Sequence, residues 1–575
     1  MIRMESLAAR CWMRAGACAI GTLLLVLSPG RSQGQTQVAL TKHNLSPSGV
    51  GTVKATESTG VCVFCHTPHN ANPTLALWNR DLPATTYTPY SSSTLKAQPN
   101  QPTGSSRLCL SCHDGLLALG NLRRPGGPAI TSLNTPLTGP TVLGTDLSGG
   151  HPISFVYDSA LALSDPGLID PALTPPGMHL DGAGQVQCTS CHNPHEDRQP
   201  NFLRADNRYS GICTSCHQPG LWKGSIHATS VATWNGTGTS PWLVGAYTTV
   251  SENGCESCHR SHASGHAPRL LAQSDEAGNC TVCHNGAVAQ KDVATDFLKP
   301  SHHPVEISPW THDPAETFAT MPRHVACPDC HNPHAATAVA GAPPAVSGML
   351  QAVPGMSISA TALVSSANEF EVCNKCHGVT EPTTLGLARQ GATRNIRLKI
   401  DPNNPSFHPI ASAGKNPAVP DLQAGLTTST IIGCTSCHDS DAWTATGSSP
   451  RGPHGSIYAP ILAAQYNTSD PQVESYAVYA LCYQCHNETS VTSDAAGTFH
   501  HRSHVITGQT PCAACHDAHG SRSNPHLIDF ELRDGTGATV VTPSSGGQLS
   551  YTQTSTGHGQ CYLTCHGVNH NPLSY

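Results

Sequence analysis

Cysteine and histidine recur along this chain in one fixed order. The stretch TGVCVFCHTPHN, Thr59 to Asn70, holds two cysteines two residues apart, a histidine directly behind them and a second histidine three residues later. Eleven segments carry the pattern Cys-x-x-Cys-His. They are Cys62 and Cys65 with His66, Cys109 and Cys112 with His113, Cys188 and Cys191 with His192, Cys213 and Cys216 with His217, Cys255 and Cys258 with His259, and Cys280 and Cys283 with His284. The series continues with Cys327 and Cys330 with His331, Cys373 and Cys376 with His377, Cys434 and Cys437 with His438, Cys482 and Cys485 with His486, and Cys512 and Cys515 with His516. A twelfth segment, CYLTCH, runs from Cys561 through Cys565 to His566 with one extra residue between the cysteines. Only Cys11 and Cys18, near the N-terminus, fall outside these pairs.

An even number of cysteines in an exported chain would ordinarily suggest disulfides. The invariant histidine argues for another chemistry. Zinc ribbons and redox Cys-x-x-Cys sites do not require a histidine behind every second cysteine. Cys-x-x-Cys-His is the attachment pattern of c-type haem. Two thioethers must reach two vinyl groups on one porphyrin edge, and the next residue must turn an imidazole onto the iron. The pattern predicts about twelve covalently attached haem c groups, with CYLTCH departing from the usual spacing.

Each iron then needs a ligand on its other face, usually His or Met. Beyond the N-terminal segment the only methionines are Met178, Met321, Met349 and Met356, whereas 22 histidines lie outside the attachment motifs. Histidine is the one side chain supplied in sufficient number. His69 follows His66 by three residues, and side chains three apart on a turn lie about 5–6 Å from each other. They cannot grip opposite faces of one porphyrin, so His69 is expected to bind a different iron and tie two haems together. The same spacing places His195, His262, His334 and His519 behind later motifs. It is missing behind His438, where His454 is the nearest substitute. Upstream of the motif pairs stand His151, His303 and His408, each followed by proline, which favours an extended residue before it. His43, His227 and His504 occupy comparable upstream places. These twelve are the expected distal ligands. His179, His324 and His558 lie just before motifs and are their closest rivals. His266, His302, His312, His500, His501, His526 and His570 are left as surface residues or partners of haem propionates.

The elements that must position these groups are legible as a repeat. The motifs fall into six pairs, with first cysteines 47, 25, 25, 46, 48 and 49 residues apart. This predicts dihaem modules over 35–140, 141–220, 221–295, 296–395, 396–495 and 496–575. Aromatic residues are 5% of the chain and charged residues 12%, with 52 Gly and 46 Pro. Such a composition cannot build ordinary apolar cores. The expected fold is mostly irregular, with short helices at the motifs and few strands. In it the haems themselves serve as the core of each module. Short strand-like runs are expected at ATVVTP (538–543) and ISFVYD (153–158).

The net charge of −7 and the sparse Lys and Arg exclude a nucleic-acid footprint. Arg3, Arg10 and Arg14 followed by the apolar run Ala17 to Leu27 read as a signal peptide over 1–34. Eleven apolar residues are too few to cross a bilayer, so no transmembrane segment is expected in the mature chain. The destination is the periplasm or the outer surface.

The paired CxxCHxPH units and the opening TKHNLSPSG…CVFCHTPHN resemble the multihaem c-type cytochromes of dissimilatory metal-reducing bacteria. The resemblance implies an exported electron carrier with largely bis-histidine haems. Carried over, His43 and His69 would be distal ligands in the first module. The implied partners are other cytochromes or redox proteins, a metal oxide, or a partner across the outer membrane. The expected function is electron transfer without a conventional active site. The alternative is a multihaem reductase of nitrite, hydroxylamine or a sulfur oxyanion, which needs one iron with an open face.

Overall fold

Frequent Gly and Pro leave few uninterrupted runs for helix or sheet, and the computed structural model has that character. It describes residues 37–73, 76–174, 179–265, 268–305, 324–379, 395–417, 419–494, 499–533 and 538–575. The expected signal peptide, His266 and His312 lie outside the described residues.

Among the described residues the two longest helices are α1 (Gly104–His113) and α2 (Glu369–His377), and each ends on a motif histidine. Asn368 and Glu371 open α2 with a capping box, the Asn368 N–H donating to the Glu371 carboxylate at 2.9 Å. Nine further motifs form a single tight turn. In each, the histidine N–H donates to the carbonyl of the first cysteine four residues back, at 2.8–3.0 Å. The turn brings both cysteines and the histidine to one end of a short coil.

Between these turns the chain runs as loops joined by two-residue antiparallel pairings. Ser301–His302 pairs with Gly455–Ser456, and Ser406–Phe407 pairs with Gly520–Ser521. These contacts set His303 beside His454 and His408 beside His519. Gly455 also lets its segment close on Asp296: a Cβ there would collide with the Asp296 carbonyl. The run at 153–158 contributes the strand Phe155–Val156, paired with Gln185–Val186. The run at 538–543 makes only isolated bridges, at Thr539 and Thr542.

The one extended sheet among the described residues is C-terminal. Strands β1 (Ser550–Ser555), β2 (His558–Cys565) and β3 (Val568–Ser574) lie antiparallel in the order β3-β2-β1. The sequence reading did not anticipate it, and it carries the twelfth motif.

Apolar side chains gather in small separate clusters. One joins Ile528, Phe530, Leu532, Val541, Tyr551 and Leu563, with Cys515, Cys561 and Cys565 packed against it. Others surround Phe64 and Leu119 with Cys65 and Cys112, Phe155 and Tyr157 with Cys216, and Phe370 and Ile400 with Cys434. Motif cysteines thus border every cluster. No helix among the described residues is long and apolar enough to cross a membrane.

Candidate functional site

The motif turns present their imidazoles to other imidazoles at one repeated distance. His66 faces His195, His113 faces His43, His192 faces His262, and His217 faces His151. His259 faces His334, His284 faces His227, His331 faces His454, and His377 faces His303. His438 faces His519, His486 faces His408, and His516 faces His501. A twelfth pair joins His504 to His570. The ring centres in all twelve are 6.0–6.4 Å apart. That is too far for ring contact and matches one interposed metal. Two metal–nitrogen bonds of about 2 Å, plus about 1.1 Å from each nitrogen to its ring centre, sum to roughly 6.2 Å. Among the described residues no three His, Cys, Asp or Glu side chains converge as a metal site built from protein alone would require. Two facing imidazoles with a cysteine pair beside them form the donor set that haem c needs.

The nitrogen facing the gap is set by what the other nitrogen does. The Nδ1–H of His66 donates to the Ala76 carbonyl, that of His113 to Thr141, of His192 to Asn201, of His259 to Arg269, of His331 to Met349, of His438 to Pro460 and of His516 to His526. In His486 the same nitrogen meets the Asp421 carboxylate at 2.5 Å. Nε2 is left for coordination. Burial first, and then the facing imidazole, pushes His217, His284 and His334 down to about 4. They are held neutral, the form that can coordinate a metal.

The facing residues obey a rule. The histidine three residues behind a motif reaches back to the first motif of the preceding pair: His195 to His66, His262 to His192, His334 to His259, and His519 to His438. His454 does the same for His331. Of the upstream histidines, His43, His151, His227, His303 and His408 face the second motif of their own pair, and His504 faces His570. The two kinds of cap are joined. His43 Nδ1–H donates to the carbonyl of Pro194, which directly precedes His195. His227 bonds Pro333 before His334, His303 bonds Pro453 before His454, and His408 bonds Ala518 before His519. For His151 the backbone N–H takes that place, donating to Ser261 before His262 at 2.8 Å. The ring planes divide the same way. Pairs capped by the back-reaching histidines, with His501–His516, lie within 10–30° of parallel; those capped by upstream histidines, with His504–His570, are tilted by 51–82°.

Two expected residues stand apart. His69 is exposed and faces no imidazole among the described residues. The rule gives the reason: residues 1–61 hold no motif for His69 to reach back to. His566 is exposed and bonds Asp470. Sequence reasoning passed over His501 and His570. His501 could have been found from HHRSH, where His501 and His504 repeat the three-residue spacing. Of the closest rivals, the His558 Nδ1–H is spent on the Tyr575 carbonyl.

The cysteines order the sites. The side chain of Cys109 adjoins that of Cys188, Cys213 that of Cys255, Cys280 that of Cys327, and Cys373 that of Cys434. Cys65 is within electrostatic reach of Cys112, Cys216 of Cys191, Cys258 of Cys283 and Cys330 of Cys373. Cys437 lies likewise near Cys485, Cys482 near Cys512, and Cys515 near Cys561 and Cys565. Each motif therefore neighbours the next in sequence, from the first to the twelfth.

A family described as the doubled CXXCH motif matches residues 179–220 and 248–289. These segments contain the two closely spaced motif pairs, and the match supports a multihaem c-type cytochrome. No curated protein matches the chain.

Proposed function

We propose that this chain is an exported electron-transfer protein holding twelve haem c groups in sequence order, each capped by two imidazoles. The observation that carries the reading is the set of twelve imidazole pairs at 6.0–6.4 Å, eleven of which include a motif histidine. Bound haem supplies a one-electron iron couple whose potential follows axial ligand, burial and hydrogen bonding. The chain's residues do the rest. Motif cysteines would hold the porphyrin edge, motif histidines would take one face at eleven sites, and the facing imidazoles would close the other face to substrates. The absence of methionine from the pairs favours low potentials. The carbonyl between neighbouring caps keeps the two sites of a pair in fixed relation.

Six dihaem modules, each of the first five capped in part by the next, make a single unbranched path. Electrons would enter and leave through other cytochromes or redox proteins, with a metal oxide or a partner across the outer membrane as the terminal acceptor. The expected signal peptide supports periplasmic or extracellular placement.

The rival reading, a multihaem reductase, needs one iron with an open face. One residue favours it: His566 faces no imidazole among the described residues, so an iron held there would lack a cap. The discriminating experiment is the visible spectrum of the reduced protein with and without carbon monoxide. An unchanged spectrum is expected of twelve closed irons; a shift from one haem in twelve would establish the reductase geometry.

A further inference from the structure

The twelfth site is built differently from the other eleven. In those, the motif folds as a helical turn and its histidine faces a cap. Here Cys561, Leu563 and Cys565 are alternate residues of β2, so they share a face of the sheet. That face packs on the cluster of Leu532, Val541 and Tyr551. The strand register sets His570 directly opposite Leu563. Directly opposed residues project to the same side, so His570 joins both cysteines on their face. It is buried, at 8% exposure. Its ring stands 6.2 Å from that of His504, inside the range of the other eleven pairs. The His504 Nδ1–H donates to the His500 carbonyl at 2.9 Å, which leaves Nε2 for the gap.

His566 has none of these properties. With Gly567 it forms the two-residue turn between β2 and β3, at φ 48° and 77°. Two positive angles make the type I′ turn that suits a hairpin. The His566 side chain is turned to Asp470, whose two carboxylate oxygens both lie 2.9 Å from Nε2. Nε2 is the atom the motif histidines keep free.

We propose that His504 and His570 are the two iron ligands of the twelfth haem. His566, the histidine of its attachment motif, is not a ligand and instead ties the hairpin to Asp470. The inference rests on the reading of the chain as a multihaem cytochrome. It removes the one apparent open face, since the iron at this site would be closed by two imidazoles like the others.

The test uses the full-length, exported, haem-loaded protein. Intact mass counts the haems, and electron paramagnetic resonance of the ferric protein counts high-spin irons. H570A should keep twelve haems and show one high-spin iron. H570M should restore a low-spin iron with sulfur ligation and a raised potential, which a structural role for His570 would not produce. H566N, which leaves Asn-Gly in a turn that favours it, should keep every iron low-spin. Should H566N lose a haem during attachment, the two His570 variants still decide. The proposal is overturned if H570A stays low-spin with twelve haems, if H566N shows a high-spin iron, or if the unmodified protein carries eleven haems. H43A serves as the control opposite His113. A high-spin iron in H43A with a silent H570A rejects only this ligand assignment, whereas a silent H43A rejects the haem-capping reading itself.

Discussion

The eleven helical-turn motifs and the strand-borne twelfth solve one problem in two ways. Two cysteines must meet one cofactor edge while an imidazole meets its face. With two intervening residues, a single helical turn does this locally, and the bond from histidine N–H to the first cysteine carbonyl closes it. With three intervening residues that closure is lost. The segment becomes β2, and the imidazole on the face of its cysteines is that of His570 on the facing strand, not that of the next residue. A local motif therefore fixes a local structure only while its spacing matches the helical turn. One inserted residue passes the task to tertiary structure.

The comparison extends to stability, and the largest expected effect comes from withholding the cofactor. Around the helical-turn motifs the apolar clusters are small and bordered by cysteines that would carry porphyrin. Around β1–β3 the side chains of Phe530, Leu532, Val541, Tyr551 and Leu563 pack on each other, and three strands with an apolar face can hold structure where a lone hairpin cannot. Expressed without haem attachment, the chain is expected to be protease-sensitive and to exchange amide hydrogens rapidly from 37 to 494. The slowest exchange should fall within 550–574. A cooperative melting transition of the whole apo chain would break the comparison.

The next effect is a buried ion pair that links two helical-turn motifs. Lys375, within CNKCH, meets Asp329, within CPDCH, at 3.0 Å, and both side chains are 3% exposed. Lys375→Met would take this ammonium away from a buried carboxylate, so the haem-loaded protein should lose about 3–5 kcal/mol, read as a lower denaturant midpoint. The corresponding tie of the hairpin, His566 to Asp470, is partly exposed, at 33% and 12%. Asp470→Asn should cost at most about 1 kcal/mol. Equal losses would mean that the two regions are fastened alike.

What was legible in the sequence follows the same division. The attachment turns were readable because thioether geometry constrains five consecutive residues. The caps were readable as a class, through the supply of histidine and the three-residue spacing. Their partners were not, because His195 and His66 are joined only by tertiary structure across more than a hundred residues of chain. His69 looked identical to His195 in sequence; what separates them is the motif pair that precedes His195 and is missing before His69. The sheet was hidden because SYTQTS in β1 is polar and short of the apolar alternation that marks a half-buried strand. His570 was hidden with it, since its relation to Cys561 and Cys565 exists only across β2 and β3.

A smaller effect separates the two classes of cap within the eleven. Ligand-plane orientation alters the splitting of the iron d orbitals, so near-parallel and tilted pairs should give distinct ferric resonances. His454→Ala, which removes a ring 11° from parallel with His331, should convert one iron to high spin at the expense of the near-parallel signal. His227→Ala, which removes a ring at 82° to His284, should deplete the tilted signal instead. Loss from the same signal in both variants would show that the division of ring planes has no electronic consequence.

The smallest effect tests whether the hairpin is an independent support for its site. Gly567 sits at φ 77° with open space where a Cβ would project. Gly567→Ala therefore meets no collision, and its cost is confined to the left-handed backbone, about 1–2 kcal/mol. That cost falls on the turn joining β2 to β3, and so on the register that places His570 opposite Leu563. Hydrogen exchange should quicken in 558–574 and stay unchanged at the helical turn of Cys512 to His516, which closes through its own backbone bond. With His570 less firmly held, the twelfth iron should show a small high-spin fraction while the others remain low-spin. If the strain instead spread to the turn at Cys512, the twelfth site would be an extension of its neighbour, and the contrast between a locally closed motif and a strand-held one would fail.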